Sequence, residues 1–445
     1  MVREPQRLLA ETLLQGHVLP SDHVLLVNPP VEETRYNWVR WNQPLDLLRI
    51  ASFLKNQIGC RVSLLDCMQP DQNWKVPSEW LPGARRYHTI GGEDYPMRRF
   101  GKPYSAVTDC LRPGGRHRDV TQVWVTSLCH YWFESVAQVC RTVRETMPHV
   151  PIVVLGAYPR FALSHAQERC CADFLVPDGR DLDAEPGAFD LYGRPRPPFT
   201  AVTVTSPSST DEIRRSVAAG VLDVAIFGDD IFLDGSEHFM RLFRDSRDLH
   251  ENLRFHLICG LDPDKVTPEV AEILANRKVA EAHFEECDEG LEVHVDAYIR
   301  LKRMLVAAGV EWPSDKFSGF VWIGRPRETL PTIISNSFRV LDLLGSLILK
   351  PFTPTPGSVM YSENHGYLER VTQKNLSPHF FPFAELNGIS RQEYHDVYRM
   401  AAFLNEKVRN RSFDFLNGTI GSQLLRDSLR REVWRIGPST LRIVD

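Results

Sequence analysis

The sequence predicts an α/β protein with two successive parallel sheets, and three observations support this fold class. Short apolar runs alternate with amphipathic stretches through most of residues 23–361, and a segment rich in proline at 181–198 divides this alternation into two series. From about residue 362 the pattern becomes helical. Strands that alternate with helices favour parallel sheets covered by helices. We therefore expect a doubly wound parallel sheet, then a partial barrel of six strand–helix units, then a small α-helical region.

The first series predicts a sheet domain over residues 23–190. An amphipathic helix is expected in residues 1–22, where leucines recur at helical spacing. Residues 67–121 have weak periodicity and are rich in proline, glycine, tryptophan and arginine, so a long insertion with little regular structure is expected. The predicted strands are His23–Asn28, Arg61–Asp66, Gln122–Ser127, Pro151–Leu155 and Asp173–Val176, and the predicted helices are Pro44–Ile58, Phe133–Met147 and Phe161–Cys171.

The second series predicts the partial barrel over residues 197–361, followed by a helical cap over 362–445. Six strands are expected, at Phe199–Thr205, Leu222–Phe227, Leu253–Cys259, Val279–Phe284, Gly319–Ile323 and Gly345–Lys350. Helices are expected at Asp211–Ala219, Ser236–Arg244, Pro268–Ala275, Val293–Ala308 and Thr329–Leu341, and in the cap at Arg391–Arg409 and Gly421–Arg430.

Composition narrows the classes of function. A net charge of −5 provides no general basic surface for nucleic acid or anionic lipid. The chain has no apolar run of the length that a membrane helix needs and no secretory signal pattern, so a cytoplasmic protein is expected. Nine cysteines are scattered without a C-x-x-C pair, which argues against a disulfide framework or a zinc site. Buried apolar thiols are the expected role, and no metal site is predicted.

The order of local motifs resembles the cobalamin-binding class of radical-SAM enzymes over roughly residues 23–361. That class joins a flavodoxin-like (Rossmann-like) sheet to a six-unit barrel, and the resemblance implies cobalamin bound above a SAM and cluster site. Each match is short, but all occur in the family's order. The matching segments are LLVNPP, VVLGAYP, VPDG, IFGDDIFLDG, IGRPRET and KPFTPTPGS.

The loop after the first barrel strand departs from this family. The family places C-x-x-x-C-x-x-C there, whose thiolates hold a [4Fe–4S] cluster. Here residues 205–212 read TSPSSTDE, and no cysteine lies between Cys171 and Cys259. Hydroxyl groups are poor substitutes for thiolate ligands, and Ser209 and Glu212 have the spacing of a helix capping box. An iron–sulfur cluster is therefore not expected.

Ligands of doubly wound sheets bind at the carboxyl ends of the strands. The resemblance to the cobalamin-binding class implies that residues at these strand ends bind cobalamin. The alternative is that they only form the turns that follow the strands. Gly156 would let a flat macrocycle approach the backbone. Many cobalamin folds use an Asp-x-His-x-x-Gly motif to supply an axial histidine, and this chain lacks it, so no such ligand is expected. His130 is placed to reach the corrin if it is not simply a surface residue. The candidates are Asn28, Asp66, Ser127, Leu128, His130, Gly156, Tyr158, Asp178 and Gly179.

Aromatic residues in the loops above this edge are Trp38, Trp41, Trp74 and Trp80. Their rings suit a large apolar ligand, but they are equally suited to pack the insertion. In the barrel, carboxylates at strand ends are candidate catalytic residues, with helix capping as the alternative. They are Asp229, Asp230, Glu285 and Glu286. The resemblance implies a SAM site here, which without the cluster loses its main anchor.

Three hypotheses about function remain open. The first is cobalamin-dependent chemistry without a radical-SAM step, such as methyl or sulfur transfer to a small molecule in a biosynthetic pathway. The second is a non-catalytic partner or regulator of an active radical-SAM enzyme. The third retains the enzyme fold without cobalamin, with the barrel mouth repurposed around Asp229, Asp230 and Glu285.

Overall fold

The structure is a computed structural model that describes residues 6–7, 17–34, 43–71, 75–177, 187–192, 199–203, 209–227, 237–285, 291, 293–312 and 314–409. The chain divides into two compact units, the first comprising 1–196 and 353–380 and the second 197–352 and 381–445. Each contains a six-stranded parallel sheet with helices, which confirms the α/β class. The segment predicted as a C-terminal cap is divided between the two units.

Before the chain enters the second unit, the described residues of the first unit form ten strands and five helices. The strands are β1 (Gln6–Arg7), β2 (His23–Asn28), β3 (Val31–Thr34), β4 (Arg61–Asp66), β5 (Ser78–Trp80), β6 (Tyr87–Ile90), β7 (Glu93–Phe100), β8 (Gln122–Ser127), β9 (Ile152–Gly156) and β10 (Phe174–Val176). The helices are α1 (Leu45–Phe53, continued by a π-helical turn at Leu54–Ile58), α2 (Ser105–Leu111), α3 (Phe133–Thr146), α4 (Ala157–Phe161) and α5 (Leu163–Arg169).

The main sheet of this unit has the strand order β1-β10-β9-β8-β2-β4 and is parallel throughout. Its central strands are apolar on both faces because each face packs against a separate core. Leu25 and Val27 belong to one core, and Val24 and Leu26 belong to the other. Continuous apolar runs are typical of parallel strands buried on both sides. All five predicted strands are present, and β2, β4 and β8 have the predicted bounds.

Two predictions for this unit are wrong. Gln6–Arg7 is a strand that pairs with β10 rather than part of a helix, and residues 8–16 lie outside the described part of the chain. The insertion at 67–121 is not irregular: β5 and β6 pair with β7 in a small antiparallel sheet that also includes β3. Gly91 and Gly92, with φ of 58° and 81°, connect β6 to β7. Two residues with positive φ form the tight hairpin turn whose twist suits antiparallel strands.

Up to residue 352, the described part of the second unit contains six strands and five helices in alternation. The strands are β11 (Phe199–Thr203), β12 (Asp223–Phe227), β13 (Arg254–Leu261), β14 (Val279–Phe284), β15 (Phe317–Ile323) and β16 (Leu347–Pro351). The helices are α6 (Ser209–Ala218), α7 (Glu237–Ser246), α8 (Pro268–Ala275), α9 (Val295–Ala307) and α10 (Leu330–Leu344). Every predicted strand and helix of this series is present, with shifts of one to three residues at most ends.

The strands of this second sheet are parallel and lie side by side in chain order, β11 to β16. One face carries the core, including Ile226, Leu257, Phe284, Val321 and Leu349. Residues that alternate with these are only half-buried along β13 to β16. Since successive side chains of a strand point to opposite faces, one face is packed and the other remains accessible.

Two threonines begin helices in this unit. The Thr267 hydroxyl accepts from the Val270 N–H at 3.3 Å ahead of α8, and the Thr329 hydroxyl accepts from the Thr332 N–H at 3.3 Å ahead of α10. A hydroxyl at this position satisfies one of the unpaired amides at the start of a helix. These caps explain why the periodic pattern predicted both helices near their observed starts.

The C-terminal part completes both units. In the first unit it forms the short helices α11 (Val359–Glu363) and α12 (His365–Leu368), followed by 3₁₀ turns at Gln373–Leu376 and Pro378–Phe380. In the second unit it forms α13 (Ala384–Asn387) and α14 (Arg391–Arg409), which confirms the predicted helix at 391–409. The predicted helix at Gly421–Arg430 lies outside the described residues. Among the described helices, none is long and apolar enough to cross a membrane.

Candidate functional site

A crevice opens at the carboxyl ends of β2 and β8 in the first unit. From β2 the chain proceeds to β4 on one side, and the next strand of the main sheet, β8, lies on the other side. Loops that leave two neighbouring strands in opposite directions create a crevice in open α/β sheets. The crevice is small, with a cavity volume of about 20 Å³, and is lined by Asn28, Pro29, Pro30, Val31, Met68, Thr126, Ser127, Leu128, Trp132 and Val136.

The structure brings Asn28 and Asp66 together, as predicted for residues at adjacent strand ends. The Asn28 side-chain amide donates to Asp66 Oδ1 at 2.8 Å, and the Met68 N–H donates to the same oxygen at 2.9 Å. The Tyr192 hydroxyl donates to Asp66 Oδ2 at 2.9 Å, and burial raises the pKa of that phenol. Buried polar groups are stable when paired in this way. Asp66 therefore organises the edge of the sheet through bonds within the protein.

Ser127 and Gly156 lie opposite each other on β8 and β9. The Ser127 hydroxyl donates to the Cys129 carbonyl oxygen at 2.6 Å. Gly156 has a φ of 90°, and a Cβ there would lie 2.7 Å from the Ser127 carbonyl oxygen and 2.8 Å from Thr126 Oγ1. The close approach that requires this glycine is therefore between two strands of the sheet itself.

His130 lies in the turn before α3 and is 3% exposed, so the expectation of a surface histidine is wrong. The Gln373 side-chain amide donates to its Nδ1 at 2.7 Å and to its carbonyl oxygen at 3.2 Å. Burial lowers the pKa of His130 to about 4, so the ring is neutral at pH 7. Because Nδ1 accepts a hydrogen bond, Nε2 carries the hydrogen, and it has no partner among the described residues.

Of the remaining residues predicted to lie near a ligand in the first unit, some line the crevice, some lie elsewhere and some are outside the described residues. Leu128 lines the crevice and is 37% exposed. Tyr158 is instead a core residue of α4, with its hydroxyl 2.8 Å from His165 Nδ1. Trp80 lies on β5 in the small antiparallel sheet. Asp178, Gly179, Trp38, Trp41 and Trp74 lie outside the described residues.

Two buried carboxylates beside the crevice escaped prediction. Glu33 Oε2 accepts from the Ser377 hydroxyl at 2.9 Å and from Trp132 Nε1 at 3.2 Å, and burial raises its pKa. Glu32 accepts from the Tyr104 hydroxyl at 2.8 Å and pairs with Arg85. The available signal was the acidic pair Glu32-Glu33, which follows Pro29-Pro30 and Val31 just after β2, since carboxylates near a buried strand end need specific partners.

In the second unit, Glu285 follows β14, at the carboxyl end of the sheet as predicted. Its carboxylate lies 2.7 Å from Lys350 Nζ, and that ammonium lies 4.3 Å from the centre of the Trp322 ring and 5.0 Å from that of Phe320. Gly260 has a φ of 98°, and a Cβ there would overlap Glu285 Oε2. The glycine thus makes room for the carboxylate. Asp229, Asp230 and Glu286, the other three candidates, lie outside the described residues.

A hydrogen-bonded row of titratable side chains crosses the accessible face of the same sheet. His256 Nε2 lies 2.8 Å from Asp223 Oδ1, and its Nδ1 lies 2.7 Å from Glu281 Oε1. His283 Nε2 lies 3.4 Å from Glu281 Oε2. The hydrogen bond to Glu281 raises the pKa of His256, and His256 in turn lowers the pKa of Glu281. Sequence analysis missed this row because its members are on three different strands.

Neither group of polar residues forms a metal centre. Within the described part of the chain, no set of three histidine, cysteine, aspartate or glutamate side chains is placed to hold a metal ion. The loop at 204–208, where the family has its cluster ligands, lies outside the described residues. Helix α6 begins at Ser209 itself, which places this residue in the first turn rather than before it. The capping box of Ser209 and Glu212 therefore stays a prediction.

The chain was compared with protein-family models, curated proteins and solved structures. No protein-family model matches the chain, and no curated protein matches it. Among solved structures, one match is the crystal structure of NtrX from Brucella abortus in complex with ADP, which is 12% identical, covers 96% of this chain and 85% of that chain, and has a TM-score of 0.19. This score is too low to indicate a shared fold.

Proposed function

We propose that this chain is a cobalamin-binding, radical-SAM-like protein without an iron–sulfur site, and that the crevice at β2 and β8 is the corrinoid site. The position of the crevice is the observation that carries the proposal. Numbered in chain order, β2, β4, β8, β9 and β10 lie in the order 2-1-3-4-5. This is the flavodoxin-like order, in which the cofactor binds between the first and third strands.

The cavity of about 20 Å³ is too small to enclose a corrin ring, so the ring would stack against the apolar residues at the mouth of the crevice. Pro29, Pro30, Leu128 and Trp132 offer apolar surface, and Leu128 is exposed at the rim. The polar side chains at the edge are paired within the protein, so amide groups of a corrinoid would bind backbone groups and solvent. His130 Nδ1 accepts from Gln373, which leaves no axial imidazole lone pair at this residue. Cobalamin bound here would supply methyl-transfer chemistry.

The second unit supports a role in holding a small molecule. Six parallel strands in chain order suit a partial barrel whose accessible face would be its interior. Glu285, Lys350, Trp322 and Phe320 offer a charged pair beside two aromatic rings on that face. SAM is a possible occupant, although the loop without cysteines removes the cluster that anchors it in the family.

Reconstitution with hydroxocobalamin tests the proposed corrinoid site. The purified chain should retain about one equivalent of corrinoid after gel filtration, measured from the visible spectrum. Leu128→Glu places a carboxylate at the rim and should weaken binding about tenfold or more, because desolvating a charge against an apolar ring is unfavourable. Leu19→Glu changes an exposed leucine outside the crevice and is the matched control. Failure of the wild-type chain to retain corrinoid, or equal binding by both variants, would contradict the proposal.

A non-catalytic partner of an active radical-SAM enzyme is the second candidate. The observation that favours it is the internal pairing of Asn28, Ser127 and Trp132, which leaves few polar side chains of the crevice available to a ligand. Coexpression and pull-down with such an enzyme distinguish the two candidates. A stable complex formed by a corrinoid-free chain would support the second candidate over the first.

A further inference from the structure

An exposed cluster of aromatic and arginine side chains lies on the small antiparallel sheet of the first unit. We call Trp80, Arg86, Tyr87 and Arg98 the Trp80 patch. Trp80 is 40% exposed and Tyr87 is 50% exposed, which places both among the few large apolar side chains of the described chain that face water. Exposed aromatic residues grouped together mark interaction sites more often than isolated ones do.

The arginines of the patch are held in place by the rings. Trp80 and Arg98 are directly opposite each other on β5 and β7, and the Arg98 guanidinium lies 4.8 Å from the centre of the Trp80 ring. The Arg86 guanidinium lies 5.7 Å from the Trp80 ring and 6.0 Å from the Tyr87 ring. Stacking restricts these long side chains before any ligand arrives, which lowers the entropy cost of binding.

Arg86 and Arg98 differ from the arginines next to them in the sequence in that they lack a carboxylate partner among the described residues. Arg85, next to Arg86, is paired with Glu32, and Arg99, next to Arg98, is paired with Glu79. Arg86 and Arg98 themselves form no ion pair with any described residue. Within the described part of the chain, neither guanidinium therefore has a carboxylate partner, although Arg98 Nη2 donates to the Ser78 carbonyl oxygen at 3.3 Å. The chain as a whole has a net charge of −5. An anionic partner would complement the two guanidinium groups.

The patch also includes an open strand edge. In the described sheet, β5 is the terminal strand and pairs only with β7, and all three of its residues are exposed. An edge strand presents unpaired backbone N–H and C=O groups to which an extended segment can add. Edge and patch thus provide main-chain hydrogen bonds and cation–carboxylate contacts side by side.

We propose that the Trp80 patch, together with the edge of β5, docks an acidic, extended segment of a partner protein. Tryptophan, tyrosine and arginine are the residue types that dominate binding energy at protein interfaces. Guanidinium groups bind carboxylates through paired hydrogen bonds, so aspartate or glutamate side chains of the segment would meet Arg86 and Arg98. This surface is separate from the proposed corrinoid crevice, and none of the residues that line the crevice belongs to it.

Fluorescence anisotropy with a labelled oligoglutamate peptide of about a dozen residues tests the proposal. The wild-type chain should bind the peptide, and the double variant Arg86→Ala/Arg98→Ala should bind it about tenfold more weakly or worse. Arg98→Lys should give an intermediate loss, because lysine keeps the charge but not the planar fork. The matched control is Arg370→Ala, which removes an exposed arginine lying 5.8 Å from the Tyr367 ring outside the patch, and it should bind like the wild type.

Three outcomes would overturn the proposal. The first is equal binding of the peptide by the wild type and the double variant, or no binding by either. The second is tighter binding of a single-stranded oligonucleotide of equal charge at the same ionic strength, since the patch would then be a nucleic-acid surface. The third is self-association of the wild type that the double variant abolishes, because the occupant would then be a second copy. Thermal unfolding of each variant establishes that the fold is retained.

Discussion

Polar residues at the carboxyl edge of the first sheet differ in burial from those on the accessible face of the second sheet. At the edge, Asp66 and Glu33 are buried and accept several hydrogen bonds from within the unit. On the face, Asp223, His256 and Glu281 form ion pairs while still partly exposed. Buried polar groups must be paired for the fold to be stable, whereas partly exposed ion pairs contribute little to stability. The ion pairs on the face of the second sheet therefore contribute little to the stability of the fold, so stability does not account for the presence of these residues.

One glycine in each region prevents a clash. Gly156 prevents a clash with the backbone of the adjacent strand, and Gly260 prevents a clash with the side chain of Glu285. The Glu285 carboxylate can rotate away from an added methyl group, but Glu285 Cβ would lie 2.7 Å from that group and is fixed by the backbone. Paired strands likewise cannot separate without losing hydrogen bonds. Since both glycines also have positive φ, substitution of either one should strain the backbone.

The largest expected effect is that of Gly156→Ala. Positive φ together with overlap against β8 should lower the free energy of unfolding of the first unit by about 3 kcal/mol or more. Gly59→Ala is the matched control, because Gly59 has a φ of 80° but no atom within 4 Å of the added Cβ, and it should cost about 1 kcal/mol. Urea unfolding, with hydrogen exchange of β8 and β9, measures both. Equal losses would show that backbone conformation alone requires the glycine.

The pH dependence of stability should differ in sign between the two regions. His130 has a folded pKa of about 4, below its unfolded value, so its contribution to stability falls as pH drops from about 6.5 toward 4. At pH 5 the loss should be about 2 kcal/mol, and His130→Gln should remove this acid dependence. His149→Gln, at an exposed position of the same unit, is the control. An unchanged acid slope in His130→Gln would contradict the prediction.

His256 should behave in the opposite way. Its folded pKa is raised above its unfolded value by Glu281, so its contribution is fully present below about pH 6.5 and is lost as pH rises through the folded pKa. His256→Gln should therefore destabilise the second unit more at pH 6 than at pH 9, by about 1 kcal/mol at most because the pair is partly exposed. A larger loss at pH 9 would contradict it. Chemical unfolding at both pH values provides the measurement.

Lys350→Met should have an effect of similar size to that of His256→Gln. Loss of the ion pair with Glu285 and of the contacts with Trp322 and Phe320 should cost about 1 kcal/mol. Lys55→Met removes an ion pair with Asp190, which is largely exposed, and should cost about 0.5 kcal/mol or less. Thermal unfolding compares the two. Indistinguishable melting temperatures would show that the aromatic contacts of Lys350 add nothing measurable.

Local patterns predicted most of the regular structure. The bounds of β2, β4, β8, β14 and α8 agree with the prediction to the residue, because apolar runs and capping residues act over a few positions. The antiparallel sheet was missed even though Gly91-Gly92 is a strong hairpin signal, since the surrounding residues are polar and aromatic rather than strictly alternating. Asn28, Asp66, Leu128 and Glu285 lie at or just after strand ends, as the strand pattern predicted, and their role in binding or catalysis stays a prediction.

The sequence by itself determined the α/β class, the order of the elements in the second unit and the absence of cysteines from the loop at 205–212. Only the tertiary structure decided which polar groups meet. Gln373 binds His130 across 243 residues, and Ser377 binds Glu33 across 344. Strand and helix formation depends on nearby residues, whereas a buried polar group is stabilised by whichever donor the fold brings to it. The neutral His130 and the buried Glu33 therefore became visible only in the folded chain.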